Sequence, residues 1–295
     1  MTLTDLRYIV ALAREKHFGR AAEKCFVAQP TLSVAVKKLE DELGVILFER
    51  GQNEITVTPA GEPIVRQAEK VLAEATRIRE LADTAGDPLA GPLRIGAIYT
   101  IGPYLLPKLV PLLRDRAPKM PLIIQENFTA KLIDVLKSGE LDVAILALLI
   151  EEPGLVAQAV YDEAFRVLVP TQHPWTKQKT IDADKLLDEP LLMLGRGNCF
   201  RDQVLDLCTR AGAGGPQVLE GSSLETIRHM VASGVGITVM PASAVDDLPK
   251  NDALLRVRPF AEPTPVRRVG MVWRASFPRY QAIDLLRKAL LDCKL

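Results

Sequence analysis

The chain has 295 residues, enough for two or three domains and more than one apolar core. It is 48% hydrophobic and 25% charged with a formal net charge of zero, an ordinary globular balance. General basicity is thereby excluded as the basis of nucleic-acid binding, so any such contact rests on local charge. The start, Met1-Thr-Leu-Thr-Asp-Leu-Arg-Tyr8, is amphipathic and lacks the apolar core of an export signal. The longest apolar run, Val143–Ile150, has the length of a buried strand and falls short of a membrane helix. A cytoplasmic protein is therefore expected. Four cysteines in that reducing compartment are not a disulfide framework. The three histidines have no metal-ligand spacing with the cysteines, so neither metal nor cofactor is expected.

Residues 1–58 read as three short helices and a hairpin. The first runs from about Thr4 to Glu15, with Leu3, Leu6, Ile9, Val10 and Ala13 on its buried side. His17-Phe-Gly breaks it, and a second helix from Gly19 to Cys25 carries Ala21 and Ala22 for close contact. Pro30 suits the first turn of a third helix, and Gly44 its C-terminal cap. Leu32, Val36, Leu39 and Leu43 of this helix point inward, while Gln29, Thr31, Ser33 and Lys37 point out. Small polar residues opening the third helix give the helix-turn-helix pattern, whose recognition helix enters the major groove N-terminus first. Leu47 to Thr58 reads as a hairpin, which makes the head a winged helix. The head carries as many acidic as basic residues, so a protein-binding module fits the pattern too. The charge is segregated, however: Arg20, Lys24, Lys37 and Lys38 lie near the reading edge, and Glu40, Asp41 and Glu42 lie beyond it. Phosphate contacts supply most DNA affinity, and so few cations per head argue for binding as a multimer.

Ala21-Ala22, Gln29-Pro30-Thr31-Leu-Ser33, Lys38-Leu39-Glu40, Leu43-Gly44, Leu47-Phe48-Glu-Arg50 and Thr58-Pro-Ala-Gly61 closely resemble the head of LysR-type transcriptional regulators. The resemblance implies that Thr31 and Ser33 approach base edges and phosphates. It places Gln29, Pro30 and Lys37 on the same DNA face, and implies that Arg50 on the wing reaches the backbone or minor groove.

Residues 59–92 read as a linker. From Pro59 to about Ala85 no breaker follows Pro63. Ile64, Ala68, Val71, Ala75, Ile78 and Ala82 recur at spacings of four and three, a coiled-coil seam. A helix packed on its own domain would show the same stripe; the family resemblance favours a dimerisation helix. Gly86-Asp-Pro88-Leu-Ala-Gly91-Pro92 ends it as a hinge.

Residues 93–295 alternate strand and helix. Strands are expected at Leu93–Ile98, Leu122–Phe128, Val143–Leu149, Leu191–Gly195, Val218–Glu220 and Ile237–Met240. Helices are expected at Tyr104–Arg116, Lys131–Ser138, Leu224–Ala232 and Tyr280–Leu291. Separate extended segments fall at Val156–Tyr161, Phe165–Val169, Leu254–Val257 and Val269–Trp273. Such alternation means parallel sheets covered by helices. Two runs suggest two subdomains, one of about 93–162 and 268–295 and the other of about 163–267. The whole is an α+β multi-domain chain: winged helix-turn-helix, long linker helix, and the periplasmic-binding-protein-like α/β effector body of LysR-type regulators. In open α/β folds ligands bind beyond the C-terminal strand ends. Three such points carry hydroxyls: Thr100, Thr129 and Ser222-Ser223. Each alone would serve as a plain helix cap; together with Cys199 after another strand they suggest a small polar pocket.

From Phe200 the chain reads as helix, with Phe200, Val204, Leu207 and Cys208 on one stripe. Were the helix unbroken from Cys199 to Cys208, their Cα atoms would stand ~13 Å apart on opposite faces. A disulfide needs about 4.4–6.8 Å, so pairing these thiols would unwind part of the helix. Cys199 opens the helix, where unpaired N–H groups and the macrodipole favour a thiolate, and Arg196 and Arg201 add positive charge. Asp202 is expected to bond the helix-start N–H groups or to hold Arg201. Cys199 is then the candidate reactive thiol and Cys208 the candidate resolver. Two small buried apolar residues remain the plainer alternative. Cys25 is expected to pack within the head and Cys293 to sit in a tail.

Tyr99-Thr100-Ile-Gly-Pro-Tyr104-Leu-Leu-Pro107, Gln125-Glu-Asn-Phe-Thr129 and Gly195-Arg-Gly-Asn-Cys199-Phe-Arg-Asp202 closely resemble the peroxide-sensing LysR-type regulators, across essentially the whole chain. The resemblance implies that hydrogen peroxide oxidises Cys199 to a sulfenic acid that condenses with Cys208. Local refolding then re-registers a homotetramer, a dimer of dimers, on promoter DNA to activate antioxidant genes with RNA polymerase. It implies further that Thr100 and Thr129 help bind peroxide or a water in its place, and Asn198 and Asp202 are expected at the same ligand site. The family often has His before the reactive Cys. Here it is Asn198, which cannot shuttle a proton near neutral pH, so water with Thr100 or Thr129 would have to serve. A regulator answering a small organic anion and a thiol peroxidase are the alternatives; a DNA-binding head and linker argue against an enzyme.

Overall fold

The structure is a computed structural model and describes residues 1–51, 55–83, 87–148, 152–209 and 218–293. The chain forms two compact units, one of Met1–Ala85 and the other of the residues from Gly86 onward, the turn Lys137–Glu140 grouping with the first.

In the first unit α1 (Leu3–Glu15) opens on a reciprocal cap. The Thr2 hydroxyl accepts from Asp5 N at 3.2 Å, and Asp5 Oδ2 accepts from Thr2 N at 2.7 Å. His17 caps α2 (Phe18–Lys24), its Nδ1 accepting from Gly19 N at 3.0 Å. In the turn that follows, Phe26 is held at φ 57°. Next comes α3 (Gln29–Leu43), with Pro30 in its first turn and Gly44 closing it at φ 67°. Leu6, Ile9, Leu12, Ala21, Ala22, Leu32, Val36 and Leu39 form the core beneath the hairpin β1 (Phe48–Arg50) and β2 (Ile55–Val57). Leu3 (43% exposed) and Leu43 (37%) were expected inside. Each lies in an end turn of its helix, where the stripe has run past its packing partners.

The linker helix α4 spans Gly61–Asp83. Thr58 secures its start, its hydroxyl accepting from Gly61 N at 2.8 Å and donating to Ile46 O at 2.7 Å. Val65 and Ala68 are buried in the head's own core, with Ile64 and Leu72 against it. Val71 and Ile78 are exposed. The seam thus divides: its first half packs on its own head and its second half is left facing outward. The side chains of Ala82 and Arg50, and Gly86, lie outside the described residues.

In the second unit β3 (Leu93–Ile98), β4 (Leu122–Asn127) and β5 (Val143–Ala147) are parallel, with α5 (Gly102–Arg116) and α6 (Thr129–Lys137) in the crossovers. The two extended segments expected after β5 are one strand, β6 (Leu155–Pro170), 16 residues long. Polar Asp162-Glu163 interrupts the apolar pattern and reads as a break. In the ladder both carboxylates meet arginines of β11 (Val266–Arg274), so the strand continues. β6 pairs β11 up to Ala164. From Phe165 it pairs β9 (Ile237–Pro241), and from Arg166 it also pairs β10 (Leu255–Pro259) on its other edge. These pairings are antiparallel, so the expected parallel strands are joined by antiparallel ones in a mixed sheet. In the second lobe β7 (Leu191–Leu194) lies parallel between β8 (Val218–Gly221) and β9, with α7 (Cys199–Thr209) and α8 (Leu224–Ala232) following β7 and β8. Two 3-10 turns, Pro174–Lys177 and Ala183–Asp188, and a four-residue helix α9 (Ala242–Val245) were not anticipated. The last helix is α10 (Tyr280–Asp292).

Each lobe has its own core. One centres on Ile95, Leu105, Ile145 and Leu286, the other on Val167, Leu192, Ile227 and Ile237. Arg279, ahead of α10, donates to the carbonyls of Pro88, Ala90, Gly91 and Pro92. One buried guanidinium thereby ties the end of the linker to the first lobe.

Candidate functional site

The ends of β3, β4 and β7 converge on one small cleft. From β7 the chain turns through Gly195-Arg196-Gly197-Asn198 into α7. Gly197 has φ 91°, a conformation side chains rarely adopt. The Asn198 amide donates to Gly195 O at 3.0 Å, and Asn198 O accepts from Arg201 N at 3.0 Å. This closed turn fixes Cys199 as the first residue of α7. Thr129 opens α6 from the other lobe, its hydroxyl 3.6 Å from Cys199 Sγ. Thr100, Thr129, Asn198 and Cys199 line the gap together with Tyr99 and Phe128. Its volume is about 10 Å³, room for one water-sized guest. The rings of Tyr99 and Phe128 meet edge to face with centroids 5.4 Å apart.

The other expected residues fall elsewhere. Asp202 is exposed and outside the cleft lining, and it does not hold Arg201. Adjacent helical residues do not face each other. Arg201 instead donates to Leu194 O at 2.8 Å and to Glu220 Oε1 at 2.7 Å, joining the ends of β7 and β8. Ser223 is a plain cap of α8, accepting from Thr226 N at 3.1 Å, and neither Ser222 nor Ser223 lines the cleft. Arg196 is exposed.

Two residues were missed. Arg267 and Glu163 form an ion pair at 2.7 Å with side chains 0% and 1% exposed. Arg267 also donates to Thr100 Oγ1 at 2.9 Å and to Thr100 O at 2.9 Å. Glu163 accepts from Ser243 N at 2.9 Å. The guanidinium carbon lies 5.4 Å from the centre of the Phe200 ring, the residue after Cys199. Arg267 thus fixes one wall of the cleft and packs behind the other. Strand parity held the signal: Arg267 shares a buried face with Val269 and Met271, and Arg268 alternates outward.

α7 is unbroken from Cys199 to Thr209, so the two thiols stand nine helical steps apart, ~13 Å. All four cysteines are free. Cys199 is half-buried and packs against the first lobe's core, whereas Phe200, Val204 and Cys208 belong to the second lobe's core. Burial pushes the Cys208 thiol up from its ordinary value. Cys293 is buried, its thiol donating to Ala289 O at 3.2 Å, rather than lying in a loose tail. Cys25 is half-buried beside the head's core.

On the head, Gln29, Pro30, Thr31 and Lys37 are exposed along α3 and Ser33 is half-buried. Among the described residues no group of three or more His, Cys, Asp or Glu could hold a metal ion. No helix among them is long and apolar enough to cross a membrane.

Residues 3–62 match the bacterial regulatory helix-turn-helix proteins of the lysR family, and residues 86–293 match the LysR substrate binding domain. The chain is 42% identical over 290 residues to the DNA-binding transcriptional dual regulator OxyR of Escherichia coli K12, covering 98% of this chain and 95% of that protein. It is 39% identical to a hydrogen peroxide-inducible genes activator of Haemophilus influenzae, covering 99% and 97%. Full-length OxyR of Pseudomonas aeruginosa, in a cysteine-to-aspartate variant, superposes with a TM-score of 0.78 at 56% identity, covering 98% and 94%. A cysteine-to-serine variant of Corynebacterium glutamicum OxyR with hydrogen peroxide bound gives 0.68 at 35% identity, covering 99% and 92%. With both halves of the chain matched and relatives similar over nearly their full length, the chain belongs to the LysR family of transcriptional regulators and, within it, to the OxyR hydrogen peroxide-inducible activators.

Proposed function

We propose that the chain senses hydrogen peroxide through Cys199 and Cys208. The observation that carries the reading is the Thr129 hydroxyl 3.6 Å from Cys199 Sγ, at a gap of about 10 Å³. Two threonine hydroxyls and Asn198 beside the thiol suit a small oxygen ligand that takes the place of a water in that gap. Peroxide enters with Thr129, Thr100 and Asn198 around it. The Cys199 sulfur attacks the near oxygen; the S–O bond forms as O–O breaks, and the far oxygen leaves as hydroxide and takes up a proton to become water. With Asn198 in place of a histidine, that proton is passed from solvent water at the mouth of the gap by the Thr129 or Thr100 hydroxyl. The positive end of α7 favours the charge that moves during attack. Arg267 acts through Thr100 and is a positioning residue.

The second step joins Cys208 to the sulfenic sulfur: S–S forms, S–OH breaks and water leaves. It requires α7 to unwind, because the helix holds the thiols too far apart. A reductant of thiol class reverses it. In this reading residues 1–58 bind double-stranded promoter DNA, with Gln29, Pro30, Thr31, Ser33, Lys37 and Arg50 at the contact. Residues 59–92 form the dimerisation helix and hinge, and residues 93–295 the sensor. A homotetramer, a dimer of dimers, changes its arrangement on DNA and engages RNA polymerase in the cytoplasm. Stoichiometric peroxide followed by disulfide mapping by mass spectrometry tests it. A Cys199–Cys208 bond is expected; its absence, or switching by a Cys199→Ser variant, overturns the reading.

A further inference from the structure

We propose that Val34 reads the 5-methyl group of a thymine in the operator, an inference that rests on α3 being the DNA-reading helix. Leu32, Val36 and Leu39 form the buried side of α3. Val34 lies opposite them and is 68% exposed. An isolated exposed valine on a protein surface needs no explanation. The place of this one is what matters. It sits in the second turn, four residues after Pro30 and three before Lys37, so all three share one face. Pro30 is exposed and stands one turn back, so its ring and the Val34 methyl groups form an apolar ridge. The ridge is flanked by exposed Gln29 and Thr31 and followed by exposed Lys37 and Lys38.

The chemistry of the major groove then selects the target. Every base edge there offers hydrogen-bond donors or acceptors, and thymine alone adds an apolar group, its C5-methyl. Against any other edge Val34 would cover polar atoms without satisfying them. The lysines suit the phosphates on either side and carry no sequence information. A β-branched side chain in a helix is already held in one rotamer, so it meets a methyl group with little further ordering. The ridge therefore demands a thymine at a fixed place in each half-site.

The test uses the full-length reduced protein and a duplex selected by it from random sequence. Each thymine of one half-site is replaced in turn by deoxyuridine, which lacks only the methyl group. Binding is measured for the wild type and Val34→Ala at one salt concentration. At one thymine the loss of the methyl is expected to weaken wild-type binding about fourfold, the worth of one buried methylene-sized group. The same replacement leaves Val34→Ala unaffected, and both proteins keep the same salt dependence because no phosphate contact is lost. If every deoxyuridine affects the two proteins equally, the thymine assignment is wrong. Lys37→Ala separates the two levels. Weaker binding to all sequences with no Val34-specific thymine overturns the inference alone; unchanged binding by Lys37→Ala overturns the reading of α3 itself.

Discussion

Arg267 donates to both the hydroxyl and the carbonyl oxygen of Thr100, 2.9 Å each, while its other edge holds Glu163. One guanidinium from β11 therefore fixes a residue of the cleft beside Cys199 and a carboxylate of β6. Arg267→Lys keeps the charge but has no fork to span the three acceptors. It is expected to slow Cys199 oxidation, measured by rapid-quench mass spectrometry. Arg267→Met leaves Glu163 buried and unpaired, at a cost of about 3–5 kcal/mol in urea unfolding. Adding Glu163→Gln should recover much of that stability without recovering the oxidation rate. Recovery of both would mean that Arg267 serves folding alone.

Thr129→Val keeps the shape of the side chain and removes the hydroxyl beside Cys199. The bond it makes is to an atom that carries charge during attack, a class worth about 1.5–3 kcal/mol. Peroxide oxidation of Cys199 should slow by roughly ten- to a hundredfold, with the unfolding midpoint of the body hardly moved. An unchanged rate would remove Thr129 from the chemistry.

Asn198→His would introduce a group titrating near pH 6.5 beside the reactive sulfur. The oxidation rate of the variant should then bend with pH in that region, with no such bend in the wild type. Matching profiles would show that a base at this position takes no part in proton movement. The substitution also removes the amide donor to Gly195 O, so the thermal midpoint is the control for a distorted turn.

Burial raises the Cys208 thiol above its ordinary 9.0, so the folded helix favours the neutral form. That contribution to stability is complete below the pKa of the unfolded thiol and is lost as pH rises through the higher folded value. Alkaline pH therefore weakens the intact α7 and supplies more thiolate to the second step. Disulfide closure from preformed sulfenic acid should accelerate across about pH 7–10, followed by stopped-flow. A flat profile would show that release of Cys208 from its core does not control closure.

Much of this was legible in the chain, because it depends on local signals. Pro30 and Gly44 bracket the recognition helix, and the run from Gly195 through Cys208 gives a strand end, a turn and a helix in order. Glu163 and Arg267 were hidden because they meet across 104 positions, and each alone reads as a surface charge. The same distance concealed the continuity of β6, whose polar middle looks like a break until β11 lies beside it. Asp202 misled for a different reason. Its type suits a helix start, but Asn198 O already accepts the Arg201 N–H and Glu220 already holds the Arg201 guanidinium.

The placement of the two thiols in different cores has an energetic consequence for the concentration of oxidant to which the protein answers. On the proposed pairing with Cys199, Cys208 leaves its neighbours only when α7 loosens, so the midpoint potential of that couple would contain the packing free energy of the second lobe. A truncation such as Val204→Ala, buried on the same helix, weakens the reduced form. For each ~1.4 kcal/mol lost from the reduced state alone, the midpoint should move about 30 mV in the negative direction. Redox titration against glutathione would read this shift, and an unmoved midpoint would uncouple the helix from the disulfide. Side chains that never touch peroxide would then set the sensor's threshold, which evolution could tune by ordinary core substitutions while leaving the reactive cleft intact.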